Sequence, residues 1–141
     1  MSGAPVHRTQ VPVAWGDCDA AGVVFYPNYF KWMDAATHGL LEAVGLPHRA
    51  LTARFQAVGL MLVDAQASFR APATFGDVLT IETRVVDRSA RRVVVGHRVV
   101  RGDVLICEGR EVRVFARSTP GGIEAAPLPA ELIARLVGAD A

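Results

Sequence analysis

Residues 15–29 have the sequence WGDCDAAGVVFYPNY, which joins an acidic, glycine-containing turn to the longest helical pattern in the chain. Asp17 and Asp19 lie on the turn, and Pro27 follows the aromatic pair Phe25-Tyr26. Proline suits the first position of an α-helix, because the N–H that it lacks would have no partner there. We therefore expect the acids to lie next to a helix N-terminus, whose free N–H groups and dipole favour negative charge.

The helix is predicted over residues 28–44 by apolar side chains that recur at i, i+3, i+4 and i+7. Gly45 is suited to cap its C-terminal end, and Pro47 prevents it from continuing. A shorter helix or turn is expected over residues 48–54. The apolar stripe of the long helix consists of Tyr29, Phe30, Met33, Ala36, Leu40, Leu41 and Val44.

Alternating apolar and polar residues predict strands on both sides of this helix. Before it, residues 9–15 place Val11, Val13 and Trp15 on one face, and Pro12 indicates an edge strand or a bulge. The short turns after the helix make an antiparallel meander the expected topology there. The strands of this meander are predicted over residues 61–69, 78–86, 92–101 and 105–116.

Five strands against one long helix predict an α+β fold, which we expect to form a single domain over residues 1–141. A chain of 141 residues is long enough to bury one substantial core. The sequence also indicates a loose leader over residues 1–7, an end of the sheet at 118–122 and a short final helix over 129–137.

Charge and composition exclude several classes of function. A net charge of +1 gives no strong field, so neither nucleic acid nor an anionic membrane is an expected partner. No apolar run is long enough to span a bilayer, and the N-terminus lacks a secretory segment, which together favour the cytoplasm. Cys18 and Cys107 have neither CxxC nor zinc-ligand spacing and are expected to be free thiols.

Asp17 and Asp19 have two interpretations, and the pattern leaves both open. Acids in such a turn commonly accept hydrogen bonds from nearby backbone N–H groups and so have a structural role. Alternatively, the Asp19 carboxylate, which precedes small residues that leave room for a substrate, could attack a carbonyl or activate water. A backbone N–H near Tyr26 would then stabilise the oxyanion.

The histidines are weaker candidates for chemistry. His97 alternates with valines along a strand and is expected to be a hydrogen-bonded core residue. His7 falls in the leader, His48 in a surface turn, and His38 has no partner at metal-ligand spacing. The sequence also has no serine nucleophile elbow and no phosphate loop, and we assign no metal.

Three further features have both a structural and a functional interpretation. Asp34 lies mid-helix, where an acid is usually solvated but could also accept a hydrogen bond from a polar substrate group. Tyr29 and Trp32 are core or interface residues that could also line an aryl pocket. The turn near residue 90 carries clustered arginines, which either remain solvated or hold phosphates. These are Arg88, Arg91 and Arg92.

Residues 16–29 resemble the hot-dog-fold acyl-CoA thioesterases of the 4-hydroxybenzoyl-CoA thioesterase type. The similarity extends over nearly the whole chain from Thr9 to Phe115, although the chain departs from the pattern at Ala20, Phe25 and Phe30. Further matching positions are Trp32 and residues 34–36, 45–47, 67–69, 77–83 and 112–116.

The resemblance implies a long central helix wrapped by a five-stranded antiparallel sheet, in a homodimer or homotetramer with active sites at the dimer interface. It also implies that Asp19 is the catalytic carboxylate, acting as nucleophile or general base. The backbone N–H of Tyr26 is then the oxyanion donor, and Asp17 is the supporting acid of the motif. No cofactor is implied.

For the substrate, the resemblance implies that Asp34 approaches a ring hydroxyl, from the same subunit or its partner, while the arginine turn meets the nucleotide phosphates. We therefore predict an enzyme that hydrolyses an aryl-CoA thioester, such as 4-hydroxybenzoyl-CoA or benzoyl-CoA. The alternatives are a thioesterase for short aliphatic acyl-CoA and a non-catalytic acyl-CoA-binding module. A dehydratase of the same fold is disfavoured, because it would use a histidine and residues 17–29 contain none.

Overall fold

The computed structural model describes residues 3–138 as helices packed against a six-stranded antiparallel sheet. A short 3-10 turn (Trp15–Asp17) follows the first strand. The helices are α1 (Pro27–Ala43), α2 (His48–Phe55) and α3 (Ala130–Val137). The strands are β1 (His7–Pro12), β2 (Ala57–Phe69), β3 (Val78–Arg88), β4 (Arg92–Arg101), β5 (Val104–Thr119) and β6 (Gly122–Ala125).

Helix α1 has the start and the end that the sequence predicts. Pro27 is its first residue, and Gly45 has a left-handed φ of +81° just beyond its end, as a glycine cap requires. None of the helices within residues 3–138 is long and apolar enough to cross a membrane. The buried residues of α1 are Tyr29, Met33, Ala36, Thr37, Leu40 and Leu41.

Met33 and Gly109 allow α1 to approach the sheet closely. Met33 is 1% exposed, and a Cβ atom at Gly109 of β5 would collide with its Sδ atom. Glycine is therefore needed at position 109 because of the close approach of the helix. Burying a methionine side chain contributes about 1.5–3 kcal/mol, so this contact anchors the N-terminal half of α1 to the sheet.

The strand order is β1-β3-β4-β5-β2, so the predicted meander is wrong for β2, which pairs with β5. The connection from β2 to β3 crosses the ends of β5 and β4. Arg70 and Ala71 donate backbone N–H bonds to Ile106 O, and Arg101 Nη1 donates to Pro72 O. These bonds join residues far apart in sequence. The alternation of apolar and polar residues within β2 therefore cannot predict them.

β1 is an edge strand, as Pro12 indicates, but it covers His7–Pro12 and not residues 9–15. His7 therefore belongs to the sheet and not to a leader, because it pairs with Thr83 of β3. α2 begins at His48, as predicted, so His48 belongs to a helix and not to a surface turn. β2 starts at Ala57, four residues before the predicted start at 61.

Trp15 does not share the buried face of β1, contrary to the predicted alternation. Val13 is 3% exposed, whereas Trp15 is 77% exposed on the 3-10 turn and packs edge-on against Phe75. The chain turns here because the Asp17 carboxylate accepts a hydrogen bond from the Ala14 N–H. This bond diverts the backbone before a strand pattern can reach Trp15.

The sequence predicts that the sheet ends at residues 118–122, but it continues beyond them. β5 continues to Thr119, and β6 then turns back to pair with it. The pairing of β5 with β4 extends only from Val104 to Val114, so β4 leaves the last residues of β5 without a partner on its side. β6 fills this position, which makes it the sixth strand of a sheet predicted to have five.

The outer edge of β2 is unpaired within residues 3–138. Every residue from Met61 to Gln66 is exposed, and this segment includes the apolar side chains of Leu62 and Val63. A long, apolar, unpaired edge is a template for pairing with another chain. The edge of β2 is therefore suited to self-association.

Candidate active site

Asp17 has a structural role in the acidic turn. Its Oδ2 atom accepts a hydrogen bond from the Ala14 N–H at 2.8 Å. Its carbonyl oxygen accepts bonds from the Phe25 N–H and from Asn28 Nδ2, both at 2.9 Å. These bonds tie the acidic turn to the first turn of α1, which agrees with the structural interpretation of this acid.

Asp19 is exposed on the same turn. Its Oδ1 atom accepts a hydrogen bond from the Ala21 N–H at 2.9 Å, and its own backbone N–H donates to Val23 O at 2.9 Å. Within residues 3–138 no group bonds to its Oδ2 atom. The structural and the catalytic interpretations of Asp19 are therefore compatible. The turn bonds to one carboxylate oxygen, and the other oxygen has no partner within residues 3–138.

The N-terminus of α1 carries a backbone hydrogen-bond donor close to this turn. Tyr26 directly precedes the helix, and no acceptor in the described part of the chain takes its backbone N–H. The neighbouring donors are used, because the Phe25 N–H bonds to Asp17 O and the Asn28 N–H bonds to Phe25 O. The Tyr26 N–H is thus available at the positive end of the helix dipole.

A cleft of about 340 Å³ lies beside Tyr26. Its walls include Tyr29 of α1, Phe69 at the end of β2 and Arg70 just after it. The Phe69 ring lies at an angle to the rings of Tyr26 and Tyr29, with centroid distances of 6.3 and 5.6 Å. Aromatic walls of this kind suit a flat, apolar ligand group.

Tyr29 lines this cleft with an uncharged side chain. Tyr29 is 4% exposed. Burial, with a smaller contribution from Cys107, raises the pKa of its hydroxyl to about 12, although the positive charge of Arg101 opposes this shift. The hydroxyl therefore stays protonated at neutral pH. Tyr29 can donate a hydrogen bond there, but it does not act as a base.

Asp34 lies farther along α1. Eight residues separate it from Tyr26, which corresponds to about 12 Å along the helix axis. Its side chain is 54% exposed, and its Oδ1 atom pairs with Arg113 Nη2 at 2.6 Å and lies 3.7 Å from His38 Nε2. Asp34 is therefore on the solvated flank of the helix and also bonded to the sheet.

A buried polar cluster lies beneath Asp34, and sequence reasoning missed it. Glu111 and Arg113 of β5 face the core with side chains 4% exposed, beside His97 of β4. Glu111 accepts hydrogen bonds from Arg113 Nη2 at 2.8 Å, from His97 Nε2 at 3.0 Å and from the Thr37 hydroxyl. The available signal was the i, i+2 spacing, which places both charges on the inner face of an apolar strand.

Both members of the buried ion pair are charged at neutral pH. Burial would raise the pKa of Glu111, but the bonds from His97, Arg113 and Thr37 hold it at about 2. Burial would lower the pKa of Arg113, but its bonds to Glu111 and Asp34 raise it. Removing one partner of a buried pair costs about 3–5 kcal/mol, so the cluster is a rigid part of the core.

His97 is a hydrogen-bonded core residue, as the sequence predicts. Its side chain is fully buried, and Nδ1 lies 2.8 Å from the Thr83 hydroxyl while Nε2 faces Glu111. Cys18 and Cys107 are free thiols, and burial raises the pKa of Cys107 to about 11. Within residues 3–138 no three His, Cys, Asp or Glu side chains come together in a way that could hold a metal ion.

The arginine turn lies far from the acidic turn of the same chain. Arg88 ends β3 and Arg92 begins β4, whereas Val13, just before the acidic turn, bonds to Asp77 at the other end of β3. β3 has 11 residues, so its two ends are roughly 30 Å apart. One chain therefore ties the acidic turn to the start of α1 at one end of the sheet but leaves Arg88, Arg91 and Arg92 at the opposite end.

Comparison with known proteins identifies the family. A family model described as the thioesterase-like superfamily matches residues 13–136. The 4-hydroxybenzoyl-CoA thioesterase of Pseudomonas sp. (strain CBS-3) is 38% identical over 130 residues, which cover 88% of this chain and 92% of that protein. The match thus extends over most of both proteins.

Solved structures show the same similarity. The structure of the 4-hydroxybenzoyl-CoA thioesterase from Pseudomonas sp. strain CBS-3 has a TM-score of 0.86 at 36% identity and covers 94% of this chain and 99% of its own. A gentisyl-coenzyme A thioesterase has a TM-score of 0.79 at 32% identity and covers 92% and 98%. The chain therefore belongs to the thioesterase-like superfamily, and the predictions of a hot-dog fold and of a thioester-hydrolysing enzyme are confirmed.

Proposed function

We propose that the chain hydrolyses an aryl-CoA thioester, of the 4-hydroxybenzoyl-CoA or benzoyl-CoA kind, to the free acid and CoA. The observation that carries this proposal is the exposed Asp19 carboxylate on a turn that the bond from Phe25 N–H to Asp17 O ties to the start of α1. There, no acceptor within residues 3–138 takes the Tyr26 N–H. One carboxylate and one oxyanion donor can suffice, because a thioester carbonyl is electrophilic and its thiolate leaves readily.

Asp19 would act on the thioester carbonyl by one of two routes. As a nucleophile, its carboxylate adds to the carbonyl carbon, the C–S bond breaks to release CoA thiolate, and water hydrolyses the resulting anhydride. As a general base, it takes a proton from the water that adds to the carbonyl carbon, and the tetrahedral intermediate then breaks its C–S bond to release CoA thiolate. In both routes negative charge develops on the carbonyl oxygen, where the Tyr26 N–H would donate a hydrogen bond.

Two observations favour an aryl group as the acyl part of the substrate. The rings of Phe69, Tyr26 and Tyr29 form an apolar, aromatic wall. The two relatives described above are named for aryl-CoA substrates, 4-hydroxybenzoyl-CoA and gentisyl-CoA. In this proposal Tyr29 lines the acyl pocket, and Asp34 accepts a hydrogen bond from a hydroxyl on the ring.

A second copy of the chain is proposed to complete the site, in a homodimer or homotetramer. Two β2 edges related by a two-fold axis perpendicular to the strands would run antiparallel, which brings the end of one β2 next to the start of the other. The arginine turn lies near the start of β2, since Arg91 O accepts the Phe115 N–H and Phe115 pairs with Leu60. The arginine turn of one subunit would therefore approach the cleft of its partner.

The position of Asp34 also favours a shared site. The 12 Å or so between Tyr26 and Asp34 along one helix exceeds the length of a 4-hydroxybenzoyl group. Asp34 of the partner subunit is not held at this distance from Tyr26, because the two residues then lie on different helices. The acyl group would then be bound between two helices, one from each subunit.

The arginine turn is expected to bind the phosphates of CoA. Replacing Arg91 and Arg92 with alanine should raise KM for benzoyl-CoA by about 10-fold, because charge-assisted hydrogen bonds to phosphate are lost. KM for the N-acetylcysteamine thioester of benzoate, which has no phosphate, should change by less than about 2-fold. Initial-rate kinetics measure both values. An equal change for the two substrates would show that the arginine turn is merely solvated.

A substrate panel tests the proposal as a whole. We expect kcat/KM for 4-hydroxybenzoyl-CoA and benzoyl-CoA to exceed the values for acetyl-CoA and butyryl-CoA by at least about 10-fold, a typical discrimination by an apolar pocket. A thiol-reactive dye reports the release of CoA. Higher values for the short alkyl esters would favour an aliphatic thioesterase, and binding without release of CoA would favour a non-catalytic module.

A further inference from the structure

Arg113 connects the interior of the protein to Asp34. Its Nη1 atom donates to Leu60 O at 3.1 Å, and its Nη2 atom donates to Glu111 Oε2 at 2.8 Å and to Asp34 Oδ1 at 2.6 Å. The Arg113 side chain is 4% exposed, whereas that of Asp34 is 54% exposed. A guanidinium fixed in the core thus holds a carboxylate on the surface of α1.

The contacts of Asp34 involve only one of its two carboxylate oxygens within residues 3–138. Arg113 and the more distant His38 both approach Oδ1, and in the described part of the chain no group bonds to Oδ2. A carboxylate on an exposed helix face otherwise samples several rotamers. Because the guanidinium is planar and its Nε, Nη1 and Nη2 atoms are each bonded within the protein, the bond to Oδ1 also restricts the direction in which Oδ2 points.

We propose that Arg113 is a positioning residue for substrate recognition, which holds the Asp34 carboxylate by Oδ1 and so presents Oδ2 to a hydroxyl on the aryl group of the substrate. This inference rests on the proposed function, in which Asp34 contacts the ring hydroxyl. Arg113 itself does not reach the substrate, because it is buried and bonded to other groups. It acts by restricting Asp34 before the substrate binds, which lowers the entropy lost on binding.

Arg113→Lys tests the proposal. Lysine keeps a positive charge beside Glu111, but its ammonium is a point charge without the planar fork that bridges Glu111 and Asp34. We define the hydroxyl preference as kcat/KM for 4-hydroxybenzoyl-CoA divided by kcat/KM for benzoyl-CoA. We expect this preference to fall by about 10-fold in Arg113→Lys, as it should in Asp34→Ala, while circular dichroism shows that both variants are folded.

The double variant separates positioning from a general structural effect. If Arg113 acts through Asp34, Asp34→Ala with Arg113→Lys has the same hydroxyl preference as Asp34→Ala alone. The matched control is Thr37→Val, which removes another hydrogen bond to Glu111 from the same helix and does not touch Asp34. Its hydroxyl preference should stay within about 2-fold of the native value. An additive double variant, or an equal fall in Thr37→Val, would overturn the proposal.

The remaining outcomes distinguish this inference from the function on which it rests. If Asp34→Ala lowers the hydroxyl preference and a folded Arg113→Lys does not, the positioning role alone is wrong. If Asp34→Ala leaves the hydroxyl preference unchanged, Asp34 does not read the ring hydroxyl, and both proposals for this residue fail.

Asp34→Asn provides a test that leaves Arg113 in place, which matters if Arg113→Lys does not fold. Arginine only donates, so it should take the amide oxygen and turn the amide –NH₂ towards the substrate. An –NH₂ group donates equally to a hydroxyl and to a methoxy oxygen. Asp34→Asn should therefore lose the native preference for 4-hydroxybenzoyl-CoA over 4-methoxybenzoyl-CoA. If it retains that preference, an acceptor oxygen still faces the substrate, and Arg113 does not hold Oδ1.

Discussion

Replacing Asp19 with asparagine is expected to lower kcat for an aryl-CoA thioester by at least ~100-fold, the scale typical of losing a positioned acid–base group. The variant should remain folded, because asparagine keeps an oxygen that can accept the Ala21 N–H, a bond of 2.9 Å in the native turn. The amide lacks the charge needed to add to the carbonyl or to take a proton from water. Single-turnover and steady-state kinetics measure the loss, and circular dichroism reports the fold.

Asp103→Asn is the matched control for this substitution. It also removes one negative charge from an exposed turn, here the turn between β4 and β5, and should leave kcat within about 2-fold of the native value. Near-normal turnover by Asp19→Asn would exclude Asp19 as nucleophile or general base. A kcat loss with unchanged affinity for benzoyl-CoA would support a role in the chemical step.

Replacing Val63 with lysine is expected to produce monomers and to lower kcat/KM for aryl-CoA esters by at least ~100-fold. Val63 is 54% exposed on the edge of β2 that no other strand within residues 3–138 pairs with, at the bulge between Leu62 and Asp64. A lysine on such an edge opposes strand pairing, because both copies would bring positive charge to the same interface. Since the proposed site uses both subunits, a monomer would lose contacts with the acyl group and with the CoA phosphates.

Sedimentation velocity measures the oligomeric state of Val63→Lys, and kinetics on the same samples measure activity. Ile123→Lys is the control, because Ile123 is 57% exposed on β6, a short strand that pairs with the end of β5 and not with β2. It should retain the native oligomeric state and activity. A monomeric Val63→Lys with full activity would show that one chain forms a complete site.

The helix α1 and its two ends can be predicted from sequence because their determinants are local. Pro27, the apolar stripe and Gly45 all act within a few residues of the positions that they affect. The same holds for the acidic turn, in which Asp17 and Asp19 bond to backbone groups two or three residues away. For this reason one contiguous stretch contains both the candidate carboxylate and the candidate oxyanion donor.

The neighbours of each strand cannot be predicted in this way. Alternation identifies the inner face of β2, but it does not show that residues 70–77 carry the chain across β5 and β4. Trp15 illustrates the same limit at a smaller scale, because a side-chain bond from Asp17 to Ala14 overrides the strand pattern that includes it. In both cases a hydrogen bond outside the pattern decides the path of the backbone.

The sequence alone determined the α+β composition, the helix with its caps and the placement of Asp19 and Tyr26 around one turn, since each depends on contacts between residues close in the chain. Only the tertiary structure decided that β2 lies at the edge of the sheet, that the arginine turn is distant from Asp19 in one subunit, and that Arg113 holds Asp34. These features join residues far apart in sequence, such as Asp34 and Arg113, whose meeting depends on how the helix packs against the sheet.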